Sequence, residues 1–283
     1  MEPASIALII FLAVFCEFID ASLGMLFGTI LSPVLIILGL NPLLVVPSIL
    51  ISQAIGGLTA SIFHHRFKNV SFGLKIKRPA TVMKKIKEVG VFETLRRGIS
   101  RDLRATLLIA VLGVLATISS VMVAISIPRK TLESYIGILV FAMGVILLSK
   151  MKFIYTWKKI LGIGLLSSFN KGISGGGFGP VATAGQIIAG RGGKSSIGAT
   201  TLAEVPICIA GFLAYLVAKG ITDWSLPLYL SIGSLIGALI GPHFTAKFKD
   251  DKKLRKILGA MVLVLGIVTL AKVLGIIKIG IKI

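Results

Sequence analysis

Charge is scarce in this chain. Of 283 residues only 15% are Asp, Glu, Lys or Arg, and 11 acidic residues stand against 31 Lys and Arg. A soluble domain of this length needs a surface built largely from charged side chains, so the shortage excludes one. Cysteine is scarcer still. Cys16 and Cys208 both lie inside apolar runs, which excludes a disulfide scaffold and reads as two buried free thiols. The three histidines, His64, His65 and His243, are too scattered for a metal site. No GxGxxG or P-loop pattern occurs, since Pro180 stands where a final glycine would be needed, so the sequence gives no sign of nucleotide binding. The opening MEPASIALIIFLAVF lacks the basic region and small-residue cleavage site of a removable signal and reads as a first membrane segment.

Apolar sequence is what the chain has in quantity: 55% hydrophobic residues and a mean hydropathy of +0.97. Apolar runs cover residues 5–38, 43–63, 105–127, 132–149, 157–190, 196–218, 225–246 and 256–277, where about 20 residues suffice to cross a bilayer. The expected fold class is an all-α polytopic membrane protein. Two runs are too long for one crossing, and each is interrupted: 5–38 by Glu17, Asp20, Ser22 and Gly24, 157–190 by Asn170, Lys171, Gly172 and Gly175 to Gly177. Each reads as two short helices meeting at a glycine-containing break, a re-entrant hairpin or a broken pair, tolerated at membrane depth only inside protein or beside a water-filled cavity.

Loop charge gives the orientation. The net charge of +20 comes from basic loops rather than from an aromatic-interleaved nucleic-acid patch, so no nucleic-acid partner is expected. Segment 64–104 is strongly basic, as are 150–159 and 247–256. All three fall in the cytoplasm if the run 157–190 enters the membrane and returns, which places both chain ends outside. Within 79–99, Val82, Ile86, Val89, Phe92, Leu95 and Ile99 recur three to four residues apart among basic residues, the pattern of an amphipathic helix on the anionic leaflet.

A shift of 151 residues aligns the two broken runs without a gap. FIDASLGMLFG (Phe18 to Gly28) falls on FNKGISGGGFG (Phe169 to Gly179), and Gln53 falls on Glu204. The chain therefore divides into a first repeat, 1–150, containing the basic loop 64–104, and a second, 151–283, each a broken helical hairpin followed by three transmembrane helices. Three crossings plus a returning hairpin make an odd total, so the repeats are expected to be inverted. Secondary transporters of that architecture hold substrate near the midplane, at the repeat interface.

The candidate site residues cluster at the breaks. Gly175, Gly176 and Gly177 precede a helical run, and their N–H groups suit an anion; the same glycines also suit a tight bend or close packing. Lys171 is a charge inside an apolar run, with Asp20 as its repeat mate. Two roles fit it, an intramembrane ion pair with Asp20 or attraction of an anionic substrate. Asn170, Ser174, Ser22 and Gly24 complete the candidate substrate-binding set, although the serine hydroxyls can instead bond their own helix backbone. Glu204, just before Pro206, and with it Asp20 and Glu17, are candidates for proton coupling or intramembrane pairing.

The stretch SSFNKGISGGGFGPVATAGQIIAGRGGKSSIGATTLAEVP (Ser167 to Pro206) resembles the second half-signature of the TauE/SafE family, the sulfite-exporter or TSUP-type transporters. In the first half Leu23, Met25 and Leu26 stand where more glycine would be expected. The resemblance implies a multi-pass cell-membrane protein that moves small sulfur-containing anions such as sulfite, sulfoacetate or related organosulfonates, with no cofactor. The rival readings are an anion channel on the same scaffold and a membrane-embedded enzyme. The latter would need a nucleophile–base set or metal cluster that the spans do not supply.

Overall fold

Asparagine and serine side chains cap the starts of two helices. In the computed structural model, which describes residues 3–72, 100–149, 157–188, 191–247 and 252–277, the apolar runs become helices or broken pairs. The first run forms α1 (Pro3–Leu23) and α2 (Phe27–Ile37). Asn41 then accepts a hydrogen bond from the Leu43 N–H at 3.0 Å and caps α3 (Pro42–Arg66), with Pro42 in the first turn where its missing N–H costs nothing. Ser100 caps α4 (Arg101–Ser126) in the same way, accepting from the Leu103 N–H at 3.1 Å. There follow α5 (Arg129–Leu148), α6 (Trp157–Ser174), α7 (Phe178–Ile188), α8 (Gly193–Lys219), α9 (Ser225–Lys247) and α10 (Lys252–Val273). The amphipathic helix expected over 79–99 lies outside the described residues.

Among the described residues five helices, α1, α3, α4, α8 and α9, are both long and apolar enough to cross a bilayer. Burial runs opposite to that of a soluble protein. Phe11, Ile62, Val111, Leu115 and Leu166 face outward, while Glu17, Asp20, Gln53, Lys171 and Glu204 are enclosed. Lipid solvates the first set and cannot solvate the second. The chain is an all-α polytopic membrane protein.

Small residues bring the helices together. Gly233, Gly237 and Gly241 form a stripe along α9, and a Cβ at Gly237 would stand 2.5 Å from the Val14 carbonyl of α1, the close approach that small residues four apart permit. On its other flank α9 packs against α3. The helices α4, α6 and α8 form a comparable group, α3 and α8 join the two groups, and α5 pairs with α10.

The two breaks share one backbone geometry. Gly24 and Gly175 have φ of +71° and +74°, and two residues later Leu26 and Gly177 have φ of +104° and +79°. Position 26, where glycine was expected, thus takes the left-handed conformation with a leucine. That strain amounts to about 1–3 kcal/mol and is offset by burial of the Leu26 side chain. The breaks also touch. A Cβ on Gly28 would lie 1.6 Å from the Gly175 carbonyl oxygen. Two hydrogen bonds tie the crossing: the Gly177 N–H donates to Thr29 Oγ1 at 3.0 Å, and Thr183 Oγ1 donates to the Gly24 carbonyl at 2.8 Å.

Candidate functional site

Beside the crossed breaks a chain of buried polar side chains joins four helices. Asp20 sits on the last turn of α1, where its Oδ1 accepts from the Phe27 N–H at 3.1 Å, the first amide of α2. That amide has no intrahelical acceptor, so the carboxylate and the helix start satisfy each other. Asp20 Oδ2 accepts from Gln53 Nε2 of α3 at 3.2 Å. The Gln53 carbonyl oxygen accepts from Lys171 Nζ of α6, and Lys171 Nζ stands 2.8 Å from Glu204 Oε1 of α8.

Lys171 therefore pairs directly with Glu204, not with Asp20 as its repeat position suggested. An amide can donate from one end and accept at the other, so Gln53 fits between the ammonium and Asp20 and relays the contact. The 151-residue alignment of the sequence sets Asp20 against Lys171 and Gln53 against Glu204. The ammonium is 1% exposed, a burial sustained by a full charge opposite and a polar oxygen beside it.

The other expected site residues fall into three places. Asn170, adjacent to Lys171, accepts through Oδ1 from the Tyr135 hydroxyl of α5. Ser174 Oγ donates to the Asn170 carbonyl at 2.7 Å and accepts from the Gly176 N–H at 3.1 Å. With the Gly175 N–H on the Lys171 carbonyl at 2.8 Å and the Gly177 N–H on Thr29, each of the three glycine N–H groups has an acceptor in this conformation. Ser22 lies apart from the chain; its hydroxyl donates to the Phe18 carbonyl at 2.6 Å and approaches the Gly241 carbonyl at 3.3 Å. Glu17, one turn before Asp20, faces α3 and α9, where Oε2 accepts from Ser234 Oγ at 3.0 Å.

Gln53, Tyr135, Thr29, Thr183 and Ser234 were missing from the sequence-based set. Gln53 had a signal, its alignment with Glu204. The others are isolated polar residues whose partners are remote in sequence.

A second polar cluster closes the end of the bundle where α3 finishes and α4 begins. Asp102 Oδ1 pairs with Arg191 Nη2 at 2.5 Å, and Asp102 Oδ2 accepts from the Ser71 N–H at 2.9 Å. Arg191 Nη1 donates to Gln186 Oε1 at 2.7 Å, and Gln186 Nε2 donates to Thr200 Oγ1 at 2.7 Å. Cys16 and Cys208 are free and buried. Among the described residues no group of three or more His, Cys, Asp or Glu side chains is placed to hold a metal ion.

Comparison with known proteins agrees with this architecture. A probable membrane transporter protein of Bacillus subtilis (strain 168), YtnM, is 21% identical over 254 residues, covering 84% of this chain and 74% of its own. No solved structure matches. Residues 87–269, well over half of the chain, match the family described as sulfite exporter TauE/SafE. With its glycine-rich second break and helices α4 to α9 inside that match, the chain belongs to the TauE/SafE family.

Proposed function

We propose that the protein is a secondary transporter that carries small sulfur-containing anions, such as sulfite, sulfoacetate or related organosulfonates, across the cell membrane by alternating access. Residues 1–150 and 151–283 act as two inverted repeats, and the anion binds where their breaks cross. The observation that carries this reading is the enclosed Lys171–Glu204 pair beside two glycine breaks in backbone contact. A buried cation next to discontinuous helices is the arrangement a membrane carrier needs for an anion. Family membership and the relative described as a probable membrane transporter support it further.

The mechanism follows from charge. Lys171 and Glu204 together are neutral, so an anion entering alone would leave an uncompensated buried charge. A proton arriving on Glu204 releases the ammonium to the anion and leaves the net charge of the site unchanged. Ser174 and Thr29 can then give up the Gly176 and Gly177 N–H groups to substrate oxygens, and Asn170 lies one residue from the ammonium. When access switches, loss of the proton restores the Glu204 pair and expels the anion.

The test is flux in proteoliposomes across sulfite, thiosulfate, sulfate, sulfoacetate and taurine, with and without a pH gradient. Saturable counterflow of at least one sulfur anion is expected. Conductive, non-saturating flux without counterflow would make the protein a channel instead.

A further inference from the structure

Three helices meet along one seam in layers four residues apart. The first layer holds Glu17 of α1, Gly56 of α3 and Ser234 of α9. The next is Ala21, Ala60 and Ala238, packed together and fully buried. Beyond it Asn69 Nδ2 donates to His64 Nδ1 at 3.1 Å and to the Pro242 carbonyl at 2.9 Å.

Glu17 is 0% exposed. One carboxyl oxygen has the Ser234 hydroxyl, and the other, Oε1, has no hydrogen-bond partner. Asp20 receives two donors and Glu204 a lysine, so Glu17 is the least compensated carboxylate of the three. The space it occupies is a specific one. A Cβ on Gly56 would fall 1.9 Å from Ser234 Oγ and 2.9 Å from Glu17 Oε1, so a side chain at 56 would fill the cradle. The ionisable groups that act on Glu17 electrostatically are Asp20 and Cys16 on its own helix, Glu204 and Cys208 from α8, and Lys171 from α6, while its carboxyl touches Ser234 and the Gly56 cradle. Lys171 supplies the one positive charge among these groups, and it is already engaged by Glu204.

An ionised carboxylate in such a place would keep an oxygen without solvent, donor or cation, and a buried group in that position takes up a proton instead. We infer that Glu17, cradled by Gly56 and hydrogen-bonded to Ser234, is a proton-binding site separate from the Lys171–Glu204 pair and is loaded in this conformation. One proton from the aqueous phase bonds to the carboxylate, giving a neutral acid. Glu17 and Ser234 offer too few oxygens for an alkali cation. The alanine layer separates the proton from His64, so its release waits on a rearrangement of α1 against α3 and α9. The position 151 residues on is Ser168, which cannot titrate and whose hydroxyl also has no partner, so this proton site belongs to one half of the chain. The inference deepens the transport reading and rests on it for its place in the cycle.

Infrared spectroscopy of the purified full chain at neutral pH tests occupancy directly. A protonated-carboxyl C=O band is expected in the unaltered protein, present in Glu204→Gln and lost in Glu17→Gln. Ser234→Ala, which keeps the acid but removes its hydroxyl partner, should shift the band and covers the case in which Glu17→Gln does not fold. Absence of the band, its persistence in Glu17→Gln, an unmoved band in Ser234→Ala or its loss on adding sodium at constant pH would each overturn the proposal. If the band behaves as expected while the liposomes show no anion flux, the proton site stands and the transport reading falls.

Discussion

Lys171 Nζ lies 2.8 Å from Glu204 Oε1, and on the ammonium's other side Gln53, which the 151-residue alignment sets against Glu204, connects it to Asp20, set against Lys171. One half of the chain thus answers the other with an amide where its mate has a carboxylate and a carboxylate where its mate has an ammonium. Residues that match in sequence position differ in charge, which makes the parts of the chain of contacts separable by substitution.

Lys171→Gln leaves Glu204 buried without a counter-charge. The purified variant should lose about 3 kcal/mol of stability and, on the proposed function, bind its sulfur anion at least about tenfold more weakly, a change of about 1.4 kcal/mol. Adding Glu204→Gln should restore most of the stability but not the binding. Thermal unfolding and anion titration of the two variants check this, and unchanged affinity in folded Lys171→Gln would remove the lysine from the binding site.

Glu204→Gln alone should separate exchange from accumulation. Its amide can still face Lys171, so counterflow of substrate across the vesicle membrane is expected to continue. Uphill uptake driven by a pH gradient should disappear. Proton-driven accumulation that survives in this variant would end the coupling role proposed for Glu204.

The glycines at the crossing differ from those on the outer faces of helices. Gly28→Ala drives a methyl into the Gly175 carbonyl, backbone against backbone, and should prevent folding or abolish expression. Gly162→Ala, where nothing lies within 4 Å of the added carbon, should be neutral or stabilise α6 by up to about 1 kcal/mol. Expression and thermal stability of the two variants give the contrast.

Asp102 gathers the Ser71 N–H and Arg191, and Ser195 Oγ lies 3.4 Å from its Oδ2. Asp102→Ala should loosen that end of the bundle. A cysteine replacing Thr200, in a chain whose Cys16 and Cys208 are changed to alanine, should react with a polar thiol reagent about tenfold faster once Asp102 is gone, as a shift of about 1.4 kcal/mol in opening requires. Equal rates would show that the Asp102 cluster does not close the structure.

Much of the architecture could be read from hydropathy, because a bilayer imposes long apolar runs and forbids unpaired backbone within them. Every apolar run of the sequence corresponds to a helix or a pair interrupted where Gly24 and Gly175 predicted. Leu26 escaped that reading, since its left-handed backbone is held by surrounding structure rather than by residue type. The site was half legible. Charges inside apolar runs marked Lys171, Asp20, Glu204 and Glu17, and alignment with Glu204 pointed to Gln53, whereas Ser234 acquires meaning only when α1, α3 and α9 are brought together. The alignment offered Asp20 as one of two readings for Lys171, and the direct contact is with Glu204 instead because aligned position specifies equivalence, while contact depends on which side chain of α3 or α8 reaches the ammonium.

The contact between Gly28 and the Gly175 carbonyl places two interruptions of the chain against each other with no side chain between them. There is no compressible padding at that point. If either interruption straightens or rotates, it displaces the other directly, and the hydrogen bonds from Gly177 and Thr183 carry the same displacement in both directions. The two breaks are therefore joined rigidly at the crossing, where a displacement of either backbone meets the other without an intervening side chain to absorb it.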